Sequence, residues 1–520
     1  MGQWWQDGVL YQIYPRSFAD ADGDGVGDLR GIRERLDHLR WLGVAGVWLN
    51  PTMPSPNDDW GYDVADYLGV HPELGTLEDL DALVADARDR GIRVLLDLVP
   101  NHTSDRHPWF RERRDLYVWA DGRDGGPPNN WLSAFGGPAW TFDEREGRWY
   151  LHNFLPTQPD LDWWNPEVPD AFDEILRFWY ARGIAGFRID VVHGIVKDRE
   201  LRDDPPATPE DHPHVRAEGV RRVHSSNRPE VHDVLRRWRT LSEGQDPPRI
   251  LVGESFVLEL EQWLGFYGQG EDELHLAFNF LFALSPFEAP ALRALVEEVE
   301  ALLPELAWPV WTGSNHDVGR LTRRWAQGDE ARARCALLLL LTLRGTPFLY
   351  YGDEIAMLEP ELDPAQALDP VPHRTGDPSR NRDRCRTPMQ WTSAEGAGFT
   401  RPGVRPWLPL GDGRRANVAD QREDPASTLR LVRDVIALRR EREDLSAGPY
   451  ATLAAHGGAW AFRRGQRTAV ALNLAEEPAE LELGARGQVL VGTDRRREGE
   501  QLAGLARLGP WEGLLVGLDP

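Results

Sequence analysis

Over its first four-fifths the chain alternates short apolar runs with segments patterned as helices. The apolar runs are residues 9–18, 44–51, 93–101, 186–192, 249–254, 274–280, 310–315 and 347–352. Helical patterns separate them. In residues 77–90, Leu77, Leu80, Leu83, Val84 and Ala87 recur at helical spacing behind a Thr76 cap, and residues 331–343 and 429–442 read likewise. Eight strands alternating with helices predict an α/β fold, a (β/α)8 TIM barrel. Two connections exceed simple loops. Residues 104–166 are rich in Gly, Pro, Trp and Asn and read as an inserted subdomain. Residues 351–427, after the eighth run, are polar and arginine-rich. From residue 448 onward, short runs separated by turn signals predict a C-terminal β-sandwich. The expected division is therefore a barrel at 1–103 and 167–447, an insertion at 104–166 and a sandwich at 448–520.

A barrel presents the C-terminal ends of all its strands on one face, so the residues ending each run are expected to share a site. Asp190 closes the fourth run two positions after Arg188, which puts both side chains on one face of a strand. His102 follows Asp97 and Asn101 at the third, Glu254 ends the fifth, and His316 and Asp317 end the seventh. Three carboxylates thus converge with two histidines and an arginine. Paired carboxylates across a scissile bond are what glycoside hydrolysis needs, one ionised to attack and one protonated to release the leaving oxygen. Arg188 is expected to lower the pKa of Asp190. Glu254, after apolar Ile250, Leu251 and Val252, is expected to be partly desolvated and to serve as the acid.

Composition removes other classes. A net charge of −25 and a pI near 5.0 argue against nucleic acid and anionic membranes as partners and suit a neutral small ligand. Lys197 is the only lysine and follows no Gly-rich loop, so Walker-type phosphate binding and Schiff-base chemistry fall away. Two cysteines, Cys335 and Cys385, imply neither a disulfide framework nor a zinc cluster. The start of the chain shows no signal peptide, and the longest apolar run, 335–343, is too short for a bilayer. A cytoplasmic monomer or homodimer is expected. Residues 20–28 hold Asp20, Asp22, Asp24 and Asp28 among glycines, with Val26 able to offer a carbonyl. Hard oxygens on such a loop suit a structural Ca²⁺ or Mg²⁺. Its first six positions mimic an EF-hand loop, but the twelfth is Gly31, not Glu.

Together these segments resemble the α-amylase superfamily, glycoside hydrolase family 13, over essentially the whole chain. Its α-glucosidase and oligo-1,6-glucosidase branch is closest, through Tyr14 to Phe18, the aspartate loop, Gln158 to Trp163 and Arg386 to Trp391. The resemblance implies a retaining, two-step mechanism, with Asp190 as nucleophile, Glu254 as acid/base and Asp317 stabilising the transition state. It implies that His102, His316 and Arg188 hold the sugar, that Tyr62 stacks on it, and that Phe135, Phe154 and Gln158 line the pocket. Asp59 and Arg382 would grip the terminal 4-hydroxyl and close the pocket behind one sugar, with Arg386 as the alternative to Arg382. Asp63 would support Arg188 or Tyr62. Val191 is of the type that goes with α-1,6 preference, whereas the long loop beyond Lys197 resembles α-1,4-cleaving members; α-1,4 disaccharides or sucrose are the favoured substrates. His193, His212, His214, His224 and His232 read as surface residues. The competing readings are a transglucosylase such as a trehalose synthase or sucrose isomerase, and a non-catalytic sugar-binding subunit.

Overall fold

The computed structural model describes residues 3–270, 272–304 and 307–520; the first two residues of the start read above lie outside these. Eight parallel strands form the central sheet: β1 (Leu10–Ile13), β2 (Gly46–Leu49), β3 (Arg93–Leu98), β4 (Gly186–Ile189), β5 (Ile250–Gly253), β6 (Leu276–Ala277), β7 (Val310–Thr312) and β8 (Thr346–Tyr350). They pair in the circular order β7-β8-β1-β2-β3-β4-β5-β6, and a parallel bridge between Phe278 and Val310 closes the ring. The chain thus folds as the expected TIM barrel. Its strands are buried almost throughout, as both faces must be when helices cover the outside. Leu10, Trp48, Leu95, Val252, Leu276 and Phe348 pack together inside the ring.

The strands are shorter than the apolar runs, for local reasons. The first run ends at Ile13 because Pro15 opens a helical turn, Pro15–Phe18, where its missing N–H costs nothing. The sixth keeps two ladder residues, since Asn279 accepts the Phe282 amide and starts the helix Phe280–Leu284. Helix Leu77–Asp89 begins at a reciprocal Thr76–Asp79 capping box and buries Leu80, Leu83, Val84 and Ala87.

Between β3 and β4 a small antiparallel sheet is built from Trp119–Ala120, Arg148–Leu151 and Trp140–Asp143. After helix Thr428–Glu441 the chain forms a six-stranded sheet, starting at Tyr450–His456, faced by the pair Ala479–Glu482 and Leu505–Leu508. One face of the larger sheet, through Trp460, Phe462, Val470, Leu472 and Leu515, joins the barrel's hydrophobic core. Buried Arg464, on the sheet, ties the two together, and buried Arg439 braces helix Thr428–Glu441 against the helix end that Arg464 reaches. They donate to the carbonyls of Leu341, Thr342, Leu343 and Gly345 at the end of helix Glu330–Thr342, the acceptors that a helix leaves unpaired. No helix among the described residues is long and apolar enough to cross a membrane.

Candidate active site

The strand ends converge around Arg188, which is fully buried and lies 4.7 Å over the Trp48 ring. Its Nη1 donates to Asp97 at 2.9 Å and to Asp190 at 2.7 Å. Its Nη2 lies 2.7 Å from Glu254, a charge contact without hydrogen-bond alignment. One positive charge therefore faces three carboxylates. The expected lowering of the Asp190 pKa does not follow: burial and then the Glu254 charge push its carboxyl up, and Arg188 only partly offsets them. Asp97 is likewise pushed up, to about 6, chiefly by burial. In such a cluster the one guanidinium cannot neutralise all three carboxyls.

The turn after Asp190 is strained. Val191 is β-branched yet left-handed, with φ 35° and ψ 49°, a conformation that costs on the order of 1–3 kcal/mol. The strain is held by the neighbouring strand end: the Val191 amide donates to the Glu254 carboxylate at 2.9 Å and the Val192 amide to the Glu254 carbonyl at 3.1 Å. The backbone leaving the Asp190 turn thereby orients Glu254.

A second network fixes the opposite wall. The Tyr62 hydroxyl donates to Asp97 (3.0 Å), accepts from Asn50 (2.8 Å) and meets His316 Nε2 at 2.6 Å. Gln12 donates to His316 Nδ1 at 2.9 Å, which leaves the Nε2–H tautomer. The Tyr62 and His316 rings stack, 5.3 Å apart and 4° from parallel. Burial holds His316 neutral, well below the usual imidazole range. Asp317 accepts from Arg382 and Arg386, each at 3.1 Å, and lies 3.0 Å from His316. Burial would raise its carboxyl, but the charges of Arg382 and Arg386 hold it well below the ordinary carboxylate range.

These walls enclose a cavity of about 840 Å³. Asp59, Tyr62, His102, Phe135, Phe154, Asp190, Val191, Glu254, Asp317 and Arg382 line it; Arg188, His316 and Gln158 stand behind that wall. Gln158 Nε2 lies 3.2 Å from Asp59 and 3.0 Å from His102, whose imidazole is lowered to about 4 by burial. Arg382 contacts Asp59 at 2.9 Å and caps the Phe135 ring at 4.8 Å. Both candidate arginines reach Asp317, but only Arg382 lies on the cavity wall.

Several expectations need correction. Asp63 supports neither Arg188 nor Tyr62; it accepts from Ser55 and from the Asp58 and Asp59 amides, and so shapes the loop carrying Asp59. Asp97 takes the supporting role instead, because its inward position on β3 is in register with Arg188. His193 is not a surface residue: it lines the cavity with His212 and His214, and its Nδ1 accepts the Phe256 amide. Trp48, Asn50, Gln12 and Asp369 went unnoticed in sequence; only their inward strand positions could have pointed to the first three. Lys197 is buried, its ammonium held by Asn101 (2.6 Å), Asp160 (2.8 Å) and the Ile195 carbonyl (3.2 Å).

In the loop at 20–28, Asp20, Asp22 and Asp28 bring carboxylate oxygens within 4.8 Å of one another. Asp24 lies outside that cluster; its carboxylate accepts the Val26 amide at 2.8 Å.

The sequence profile described as "Alpha amylase, catalytic domain" matches residues 12–448. A probable alpha-glucosidase of Rhizobium meliloti is 42% identical over 92% of this chain and 91% of its own length. An oligo-1,6-glucosidase of Halalkalibacterium halodurans is 36% identical over 86% of this chain and 85% of its own. The crystal structure of an alpha-glucosyl transfer enzyme, XgtA, superposes with a TM-score of 0.92 at 38% identity, covering both chains fully.

Proposed function

The chain belongs to the α-amylase family, glycoside hydrolase family 13, and is a glycoside hydrolase; we propose that it acts as a retaining α-glucosidase that removes glucose from the non-reducing end of short α-glucosides. The observation that carries the chemistry is the single guanidinium shared by Asp190 and Glu254. The acid role requires a proton on Glu254; with it there, the repulsion that raises Asp190 is gone and Arg188 favours the ionised form of Asp190. Asp190 then attacks the anomeric carbon as Glu254 protonates the departing oxygen. A glucosyl ester forms and the aglycone leaves. Glu254, now a base, takes a proton from water, which opens the ester and frees glucose. Asp317, held ionised, faces the ring hydroxyls as positive charge develops on the sugar.

The exo action rests on the closed end of the cavity, where Arg382, Asp59 and Gln158 hydrogen-bond around the aromatic wall of Phe135 and Phe154. That end leaves no path for a second sugar behind the first. For linkage, the loop beyond Val191 favours α-1,4 disaccharides or sucrose. The test is a time course on maltose, isomaltose, sucrose, trehalose and a maltooligosaccharide whose non-reducing end is blocked. Glucose should be released singly from the free-ended substrates, and the blocked chain should stay intact. Cleavage inside the blocked chain overturns the exo reading.

Transglucosylation is the second reading. The likeness to XgtA favours it, as does a cavity that continues past the carboxylates to His193, His214 and Phe256. New disaccharides at high substrate concentration would assign it.

Asp20, Asp22 and Asp28 are hard oxygen donors of the kind that Ca²⁺ or Mg²⁺ takes, and their crowding is relieved by such an ion. We propose a structural cation there, held by these three residues.

A further inference from the structure

Arg382 has three carboxylate neighbours: Asp59 at 2.9 Å, Asp317 at 3.1 Å and Asp369 at 2.7 Å. Asp59 and Asp317 line the cavity and must keep lone pairs for a sugar. Asp369 is fully buried and does not line it. Its carboxylate takes the Arg382 backbone amide at 2.7 Å, Nε at 3.0 Å and Nη2 at 2.7 Å. This grip leaves Nη1 to Asp317 and the rest of Nη2 to Asp59. The strap bearing Asp369 is itself tied down. Asp383 accepts the Leu368 and Asp369 amides, and the Leu368 carbonyl accepts Trp60 Nε1 at 3.2 Å. Trp60 directly follows Asp59 and is left-handed, with φ 51°.

We propose that Asp369 is a positioning residue for glucose binding: it fixes the Arg382 rotamer so that Asp59 and Asp317 need not spend their lone pairs doing so. Without it, Arg382 would be neutralised by the two sugar-facing carboxylates, drawing them onto itself and away from the substrate. The inference rests on the closed-end reading above. The plainer role of Asp369 is to cap the short helix Pro370–Thr375 by accepting the Val371 amide at 3.2 Å. The two roles separate cleanly. A cap needs only an oxygen, which asparagine supplies as well as aspartate does. The grip on Arg382 needs the negative charge, and Asp369 is held below the ordinary carboxylate range because Arg382 outweighs its burial.

The experiment is a cycle of Asp369→Asn, Arg382→Ala and the double variant, with kcat, KM and melting temperature measured on maltose and an aryl α-glucoside. Asp363→Asn, at an exposed cap with no arginine, is the control. Asp369→Asn should raise KM about tenfold or more with a much smaller change in kcat. Its melting should stay near that of the parent, and the double variant should bind no worse than Arg382→Ala alone. An unchanged KM in Asp369→Asn overturns the proposal, as do penalties that multiply in the double variant. Failure of both Asp369→Asn and Asp369→Ser to fold, while Arg382→Ala folds, assigns Asp369 to the scaffold and overturns it too. If Arg382→Ala itself leaves KM unchanged, the closed-end reading fails instead.

Discussion

Arg188 has one charge to divide among Asp97, Asp190 and Glu254, and the proposed division of labour rests on that shortage. The proposed mechanism needs one of the two carboxyls at the bond to be broken ionised and the other protonated for the leaving group. Replacing Glu254 by Gln should therefore cost 2–4 orders of magnitude, roughly the worth of general acid catalysis, in kcat on maltose. An activated aryl α-glucoside, whose phenolate needs no proton to depart, should lose far less in the glucosylation step. Equal losses on both, read by burst and steady-state kinetics, would remove Glu254 from the acid role. The residues ending strands were legible from the chain because chemistry-bearing types stand out after apolar runs. Asp97 was visible too, but its task was not. That it supports Arg188 depends on the register of β3 against β4, which no local pattern prints. Asp369 was beyond reach for a similar reason. It shares Arg382 with Asp59 only because a strap far along the chain folds back under Trp60.

At the scale of elements, the barrel was readable because its strands are continuous apolar runs and its helices carry amphipathic spacing and caps. Strand ends were not, since Pro15, Asn279 and the strained Val191 each stop a ladder inside a run that composition would continue. The aspartate loop belongs to this scale as well. Its turn is held from outside by Thr400, which donates to Asp20, and Asp28 caps helix Leu29–Glu34 through the Gly31 amide. A cation joining Asp20, Asp22 and Asp28 would therefore brace a helix start against the segment after β8. Chelation should lower the melting temperature and added Ca²⁺ restore it; occupancy at a hundredfold over Kd is worth about 2.7 kcal/mol. Asp22→Asn, whose exposed side chain serves the turn least, should melt alike with and without chelator. Parent protein whose melting ignores EDTA would make the loop a plain turn.

At the scale of the whole molecule, the C-terminal sheet and the barrel share a hydrophobic core and are joined by buried Arg464, so they should unfold together. Arg464→Met would leave the carbonyls of Thr342, Leu445 and Gly448 without their donor. We expect a loss of about 2 kcal/mol, in the range for unsatisfied buried acceptors, with kcat and KM unchanged. Unfolding should remain a single transition. A first transition confined to the C-terminal sheet, seen by hydrogen exchange, would show that the two parts come apart. The basic side chains of this chain other than histidine are arginines, save one. That one, Lys197, is sealed where the third strand's end, the insertion and the loop after Asp190 meet, with three acceptors around its ammonium. Amine-directed reagents thus find no ε-amine on the folded surface. Acylation would therefore spare the side-chain amines of the folded enzyme and leave its active site untouched. The later appearance of an acylated Lys197 would time the opening of the site's own scaffold.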